Sequence, residues 1–176
     1  MKGLHFEKRV ENRLRANFPG SVILHDVSIP GRKGKPAQID FVMLDATGVY
    51  VIEAKCYSGT VTGSAKDVWW TKTTGDRNGN IIRKPAMNPI RQNETHVKRL
   101  KKLIKDSSIP VYSIIVISGK CDFSAIRPAE NSAGKTENTY LFHLKDFVQG
   151  IREIMDRTAA CMTEDRITEL SNTIMN

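Results

Sequence analysis

Two apolar segments joined by a short polar turn constrain this chain more than any other feature. Gln38-Ile-Asp-Phe-Val-Met-Leu44 is apolar after its start, Asp45-Ala-Thr-Gly48 supplies turn chemistry, and Val49-Tyr-Val-Ile-Glu-Ala-Lys55 returns. A loop centred on Ala46 and Thr47 pairs Leu44 with Val49 and, continued along the strands, Asp40 with Glu53. Side chains alternate across a strand, so Val42, Leu44, Val49 and Val51 fall on one face. Ile39, Phe41, Met43, Tyr50 and Ile52 fall on the other. A hairpin apolar on both sides needs a sheet covered by helices on each face. The expected fold is therefore α/β or α+β, with a mixed central sheet flanked by helices.

The flanking segments fill in such a plan. Residues 4–17 read as a helix ended by Pro19-Gly20, and Ser21–Ile29 as a strand. Pro30-Gly-Arg-Lys-Gly-Lys-Pro36 is a basic loop. Short strands are expected at Thr60–Gly63 and Asp67–Thr73, with a turn at Gly75–Asn80. Asn88 caps a helix that starts at Pro89 and runs to about Lys105. Val111–Ser118 is a β-branched strand, a short strand is expected at Tyr140–Phe142, and helices at 144–156 and 163–174. The chain of 176 residues reads as one domain over 1–150 with a helical extension, 151–176, packed on it.

Lys and Arg number 27 against 19 Asp and Glu, a net charge of +8 that favours a polyanionic partner, nucleic acid first. No apolar run is long enough to span a bilayer. Three scattered cysteines, Cys56, Cys121 and Cys161, suit reduced thiols rather than a zinc site or a disulfide frame. Together these lead to the expectation of a soluble, cytoplasmic protein with no membrane partner.

The hairpin register sets Asp40 opposite Glu53, with Lys55 on the same face. An ion-pair cluster would need only one carboxylate for one lysine. Two carboxylates facing each other across strands are unfavourable unless something positive lies between them. A hard divalent cation, Mg²⁺ or Mn²⁺, takes such oxygen ligands with waters completing its shell, and the carbonyl of Ala54 could join them. Such an ion acidifies a bound water and polarises a phosphoryl oxygen, while Lys55 could orient that water or stabilise phosphate charge.

On the first helix, Phe6, Val10, Leu14 and Phe18 form one apolar stripe. Glu7 falls within it and Glu11 at its margin. Glu7 is read either as a further metal ligand or as a carboxylate that snorkels or pairs with a lysine. On the Asn88-capped helix, Lys98, Lys101, Lys102 and Lys105 lie opposite Val97, Leu100 and Ile104, which makes them a solvated face. Gln92 and His96, with Arg99 near them, flank the core stripe. Arg32, Lys33 and Lys35 form a basic loop shortly before Asp40, able to meet a phosphate backbone or merely to solubilise. Trp69 and Trp70 place one ring in the core and one outside. Gly134-Lys135-Thr136 lacks the preceding glycine and strand of a phosphate-binding loop and is set aside.

Taken in order, Glu7 with Val10 and Leu14, Gln38-Ile39-Asp40, Gly48-Val-Tyr-Val-Ile-Glu-Ala-Lys55, Gly59, Gly63, a tryptophan at 69 or 70, and Asn88-Pro89 with Gln92 and His96 form a pattern. Over about residues 3–105 the chain resembles the nuclease-related domain (NERD) family of the PD-(D/E)xK nuclease superfamily. That resemblance implies a restriction-endonuclease-like αβββαβ core. It also implies metal binding by Asp40 and Glu53, support of the nucleophile by Lys55, Glu7 as the first-helix carboxylate, and Gln92 as an auxiliary catalytic residue. Phe6 stands where the family commonly has glycine, which leaves Glu7 and Glu11 as alternatives. Ile39, not proline, precedes Asp40. The expected activity is Mg²⁺- or Mn²⁺-dependent hydrolysis of phosphodiester bonds, DNA before RNA, with His96, Arg99 and the basic loop contacting nucleic acid. The rival is a binding module that keeps the fold without cleaving. A homodimer and a helicase-like DNA-processing partner are both left open.

Overall fold

The computed structural model describes residues 2–31, 35–127 and 138–176. Helix α1 (Lys2–Asn17) leads into the strands β1 (Val22–Ile29), β2 (Ala37–Asp45) and β3 (Gly48–Lys55). Three more strands follow, β4 (Gly59–Ser64), β5 (Trp69–Gly75) and β6 (Ile81–Met87), then helix α2 (Pro89–Ile104) and β7 (Val111–Ile117). The remainder is β8 (Cys121–Asp122), β9 (Ile126–Arg127), β10 (Thr139–His143), α3 (Phe147–Asp156) and α4 (Glu164–Met175). Among the described residues, no helix is long and apolar enough to cross a membrane.

The main sheet has the order β1-β2-β3-β7-β10: β1, β2 and β3 run antiparallel, while β7 joins β3, and β10 joins β7, in parallel. The elements α1, β1–β3, α2 and β7 thus give the αβββαβ core, with a second sheet inserted before α2. The hairpin register is the expected one, from Asp45 against Gly48 to Phe41 against Ile52. On one face, Phe41, Met43, Tyr50 and Ile52 pack beneath α1 and α3 through Phe6, Val10, Leu14, Phe147 and Ile151. On the other, Val42, Leu44, Val49 and Val51 pack against Leu100 and Ile104 of α2 and Ile167, Leu170 and Ile174 of α4. Position 150 falls inside α3, so the two last helices complete one core each.

Ile39 departs from the alternation. It lies in the α2–α4 core with Val27, whereas Phe41 and its stacking partner His25 lie on the α1 side. The cause is next to them. Asp26 takes a left-handed φ of 52°, and the β1–β2 ladder skips the Asp26–Asp40 pair between His25–Phe41 and Val27–Ile39. A non-glycine residue in that region turns the chain locally. Here the turn carries Ile39 to the opposite face.

The second sheet, β6-β5-β4-β8, was legible only in part. Strand β6 holds Arg83, Lys84 and Pro85, a composition that hides a strand. It survives because it is an edge strand, where proline withdraws no needed donor. Trp70 and Val61 anchor this wing against Ile90, Ile115 and Ile117.

Asn88 joins the wing to α2. Its Oδ1 accepts from Ile90 N at 2.9 Å, and its Nδ2 donates to the carbonyls of Ala65 and Asp67 at 3.1 and 2.7 Å. The side chain is fully buried. Asn88→Ala is expected to cost ~2–3 kcal/mol, from a lost cap and buried carbonyls left without a donor. Asn88→Asp keeps the cap but not the donors, so urea unfolding should rank it well below the unchanged protein. Equal stability of Asn88→Asp would assign the whole effect to the cap.

Candidate active site

The central site lies where β2 and β3 part. Their ladder ends at Phe41–Ile52, one step short of Asp40 and Glu53. Instead of continuing the ladder, Asp40 accepts a hydrogen bond from Ala54 N through Oδ2 at 2.8 Å. In a strand the N–H and C=O of one residue point to the same side. The Ala54 carbonyl is therefore turned toward Asp40. Burial pushes the Asp40 carboxyl up, while the Ala54 amide and the charge of Lys55 pull it down, with a net rise.

Glu53 is 1% exposed. Its Oε1 accepts from Gln92 Nε2 at 2.7 Å and meets Lys55 Nζ at 2.5 Å. The other oxygen, Oε2, has no hydrogen-bond partner among the described residues. Burial first and Asp40 second raise Glu53 to about 7, against the pull of Lys55. For Lys55 itself burial works downward, but Glu53 outweighs it and holds the ammonium charged. Lys55 is thus a cation that compensates Glu53.

This has a consequence for stability in EDTA. The folded-state pKa of Glu53, about 7, lies above its ordinary 4.5. Folding therefore gains proton-linked stability that is complete below about pH 4.5 and is lost as pH rises through about 7, on the order of 3 kcal/mol. Urea unfolding at pH 5 and pH 8 should show this fall, reduced in Glu53→Gln. An identical fall in both proteins would remove Glu53 as its source.

Helix α1 reaches the site from the opposite face of the sheet. Glu7 is half-buried; burial and the charges of Asp40 and Asp26 push its carboxyl up, with His25 and Lys55 opposing. Glu11 is held by Lys8 at 2.9 Å and Arg15 at 3.0 Å, and their hydrogen bonds keep it below the usual range. Of the two, Glu7 is the one that feels the charges of Asp40 and Lys55.

His96, expected to flank the core stripe of α2 and to contact nucleic acid, lies buried against Glu53 instead. It is only 5% exposed, with Nδ1 3.5 Å from Glu53 Oε2. Burial, then Arg99 and Lys55, push it down to about 4, so the imidazole is neutral and the contact is not a salt bridge. Both atoms lack an aligned hydrogen bond among the described residues. Arg99 is half-exposed beside it, and Lys35 is exposed. Arg32 and Lys33 lie outside the described residues.

Two contributors escaped the sequence reading. Asn93, fully buried, donates to Val51 O at 2.9 Å and Ser113 Oγ at 3.0 Å, pinning α2 over β3 and β7. Its only signal is a polar residue within the apolar stripe of α2. Tyr57 feels the charges of Lys55 and Glu53, and its hydroxyl reaches Met87 O at 3.3 Å.

The oxygens present fit a hard cation. They are two carboxylates, one with a buried unpartnered oxygen, and the Ala54 carbonyl on the strand edge that meets Asp40. No three His, Cys, Asp or Glu side chains among the described residues form a closed cluster as they stand. Such a donor set suits an ion that keeps several waters, as Mg²⁺ does.

An uncharacterized Bacillus anthracis protein is 28% identical over 99% of this chain and 76% of its own length. The solved structure of Pyrococcus furiosus SfsA in complex with Ca²⁺ matches at 17% identity with a TM-score of 0.35. That match covers 81% of this chain and 55% of SfsA, so the chain spans about half of SfsA's length. The family model for the nuclease-related domain matches residues 2–118, reaching through β7 and past the limit near residue 105 expected from the motifs. The chain belongs to the nuclease-related domain (NERD) family, within the PD-(D/E)xK nuclease superfamily.

Proposed function

We propose that this protein is a Mg²⁺- or Mn²⁺-dependent nuclease that hydrolyses phosphodiester bonds, in DNA before RNA. The observation that carries the reading is Glu53: a fully buried carboxylate with one oxygen fixed by Gln92 and Lys55 and the other unpartnered, beside Asp40. A group so costly to bury is retained for chemistry more readily than for stability.

When bound, the metal supplies an acidified water and a polarised phosphoryl oxygen. Asp40, Glu53 Oε2 and the Ala54 carbonyl would hold it. Gln92 and Lys55 grip Glu53 Oε1 and so aim Oε2. Lys55 keeps its proton and offers positive charge to the phosphate as charge develops there. Neutral His96 closes the α2 side of Glu53 without adding charge. Glu7, from the α1 side, would join directly or through water.

The test is incubation with labelled linear, circular, single-stranded and branched DNA, and with RNA, in Mg²⁺, Mn²⁺ or EDTA. Glu53→Gln runs alongside. Metal-dependent cleavage that vanishes in Glu53→Gln, with binding retained, supports the nuclease. Binding without cleavage of any substrate would instead favour a module that keeps the fold without turnover, and cleavage unaffected by Glu53→Gln would place the chemistry elsewhere.

A further inference from the structure

The two faces of the β5–β6 hairpin are unlike. Register fixes them: Trp69 pairs with Met87, Thr71 with Pro85 and Thr73 with Arg83, while Trp70 pairs with Ala86 and Lys72 with Lys84. The outward face carries Trp69, Met87, Ile81, threonines and one cation, Arg83. The inward face begins buried, with Trp70 1% exposed against the core. Farther from that anchor it sets Lys72 directly opposite Lys84.

Like charges opposed across an antiparallel pair are unfavourable. Among the described residues neither lysine has an ion-pair partner at 4 Å or less. Through Tyr57, Lys72 borders the candidate active site. Lys72 Nζ stands 5.7 Å from the centre of the Tyr57 ring. Tyr57 in turn lies within reach of the Lys55 and Glu53 charges, two residues on from Lys55. Lys72 and Lys84 therefore extend the positive charge of Lys55 along the inner side of the wing. This is the mirror of the Asp40–Glu53 site: there two carboxylates share one ammonium, that of Lys55, and here two ammonium groups have no carboxylate within 4 Å among the described residues.

We propose that Lys72 and Lys84 bind the phosphodiester backbone of the nucleic acid next to the bond being cut, with the inner face of β5–β6 as one wall of the binding cleft. The inference deepens the nuclease reading and rests on it. The occupant is a polyanionic strand because two opposed ammonium groups share the inner face, one of them over the Tyr57 ring that feels the Lys55 charge, on a chain whose net charge is +8. Phosphate contacts of this kind fix position and orientation without reading sequence.

Neighbouring residues on opposite faces give the test its control. Lys84→Gln, Lys72→Gln, the double variant and Arg83→Gln each enter a binding titration with fluorescent 20-nucleotide duplex and single-stranded DNA. Titrations run in EDTA across a salt series, and again with Mg²⁺ in a Glu53→Gln background. For duplex, the slope of log affinity against log salt should fall by about 1 for each lysine removed. Affinity should drop several-fold and equally across sequences, and Arg83→Gln should leave both unchanged. If Arg83→Gln weakens binding as much as Lys84→Gln, or the double variant keeps the original slope, the assignment of the inner face fails while the nuclease reading stands. If the unaltered protein binds neither DNA, the reading beneath it fails as well.

Discussion

Asp40→Asn should lower DNA cleavage about 10³-fold or more while leaving the melting temperature nearly unchanged. The reason lies in the two tasks of one carboxylate. Asp40 Oδ2 accepts the Ala54 amide at 2.8 Å, which closes the gap where the β2–β3 ladder stops. An asparagine carbonyl can accept the same hydrogen bond, so the strand end stays tied. What it cannot supply is the negative charge that a divalent ion requires. Asp40→Ala loses both tasks, and the unsatisfied Ala54 N–H adds ~1–3 kcal/mol of destabilisation. Cleavage rates and thermal unfolding on the two variants separate the tasks. Undiminished cleavage by Asp40→Asn would remove Asp40 from the chemistry.

The second large effect is on stability, at the joint between the two sheets. Trp70→Ala should cost ~3–5 kcal/mol. Its ring is 1% exposed among Val61, Ile90, Ile115 and Ile117, and its Nε1 donates to Ser64 O at 2.9 Å. Gly63 lets the ring approach the backbone, since a Cβ there would stand 2.5 Å from Trp70 Cδ1. Alanine at 70 therefore leaves a cavity that the neighbouring strand cannot easily fill. Trp69→Ala makes the same deletion one residue away, on a ring 55% exposed, and should stay within about 0.5 kcal/mol. Urea unfolding of the pair measures the difference. Similar costs for both would mean that Trp70 does not anchor the wing.

The hairpin was readable because its apolar runs and polar turn admit one register that buries both faces, and that register put Asp40 near Glu53. Gln92 was readable because Asn88-Pro89 fixes the start of α2 and hence which residues look back at the sheet. Ile39 was misplaced for a reason that sequence hides: the left-handed backbone at Asp26 carries no glycine to announce it. Strand β6 was missed because lysine, arginine and proline are tolerated at an edge, where pattern is weakest. His96 was read as flanking the core stripe of α2 one turn from Gln92, but its burial against Glu53 depends on how closely α2 lies over the sheet. Long-range packing decides such cases, and local pattern does not record it.

If a cation answers the Asp40 and Glu53 carboxylates, Mn²⁺ binding followed by electron paramagnetic resonance is the most direct measurement of it. The unaltered protein, Asp40→Asn and Glu53→Gln would each be titrated at neutral pH without nucleic acid. The expected result is saturable Mn²⁺ binding by the unaltered protein, competed by Mg²⁺ and weakened at least about tenfold by either substitution. Equal binding by all three proteins, or none by the unaltered one, would contradict it.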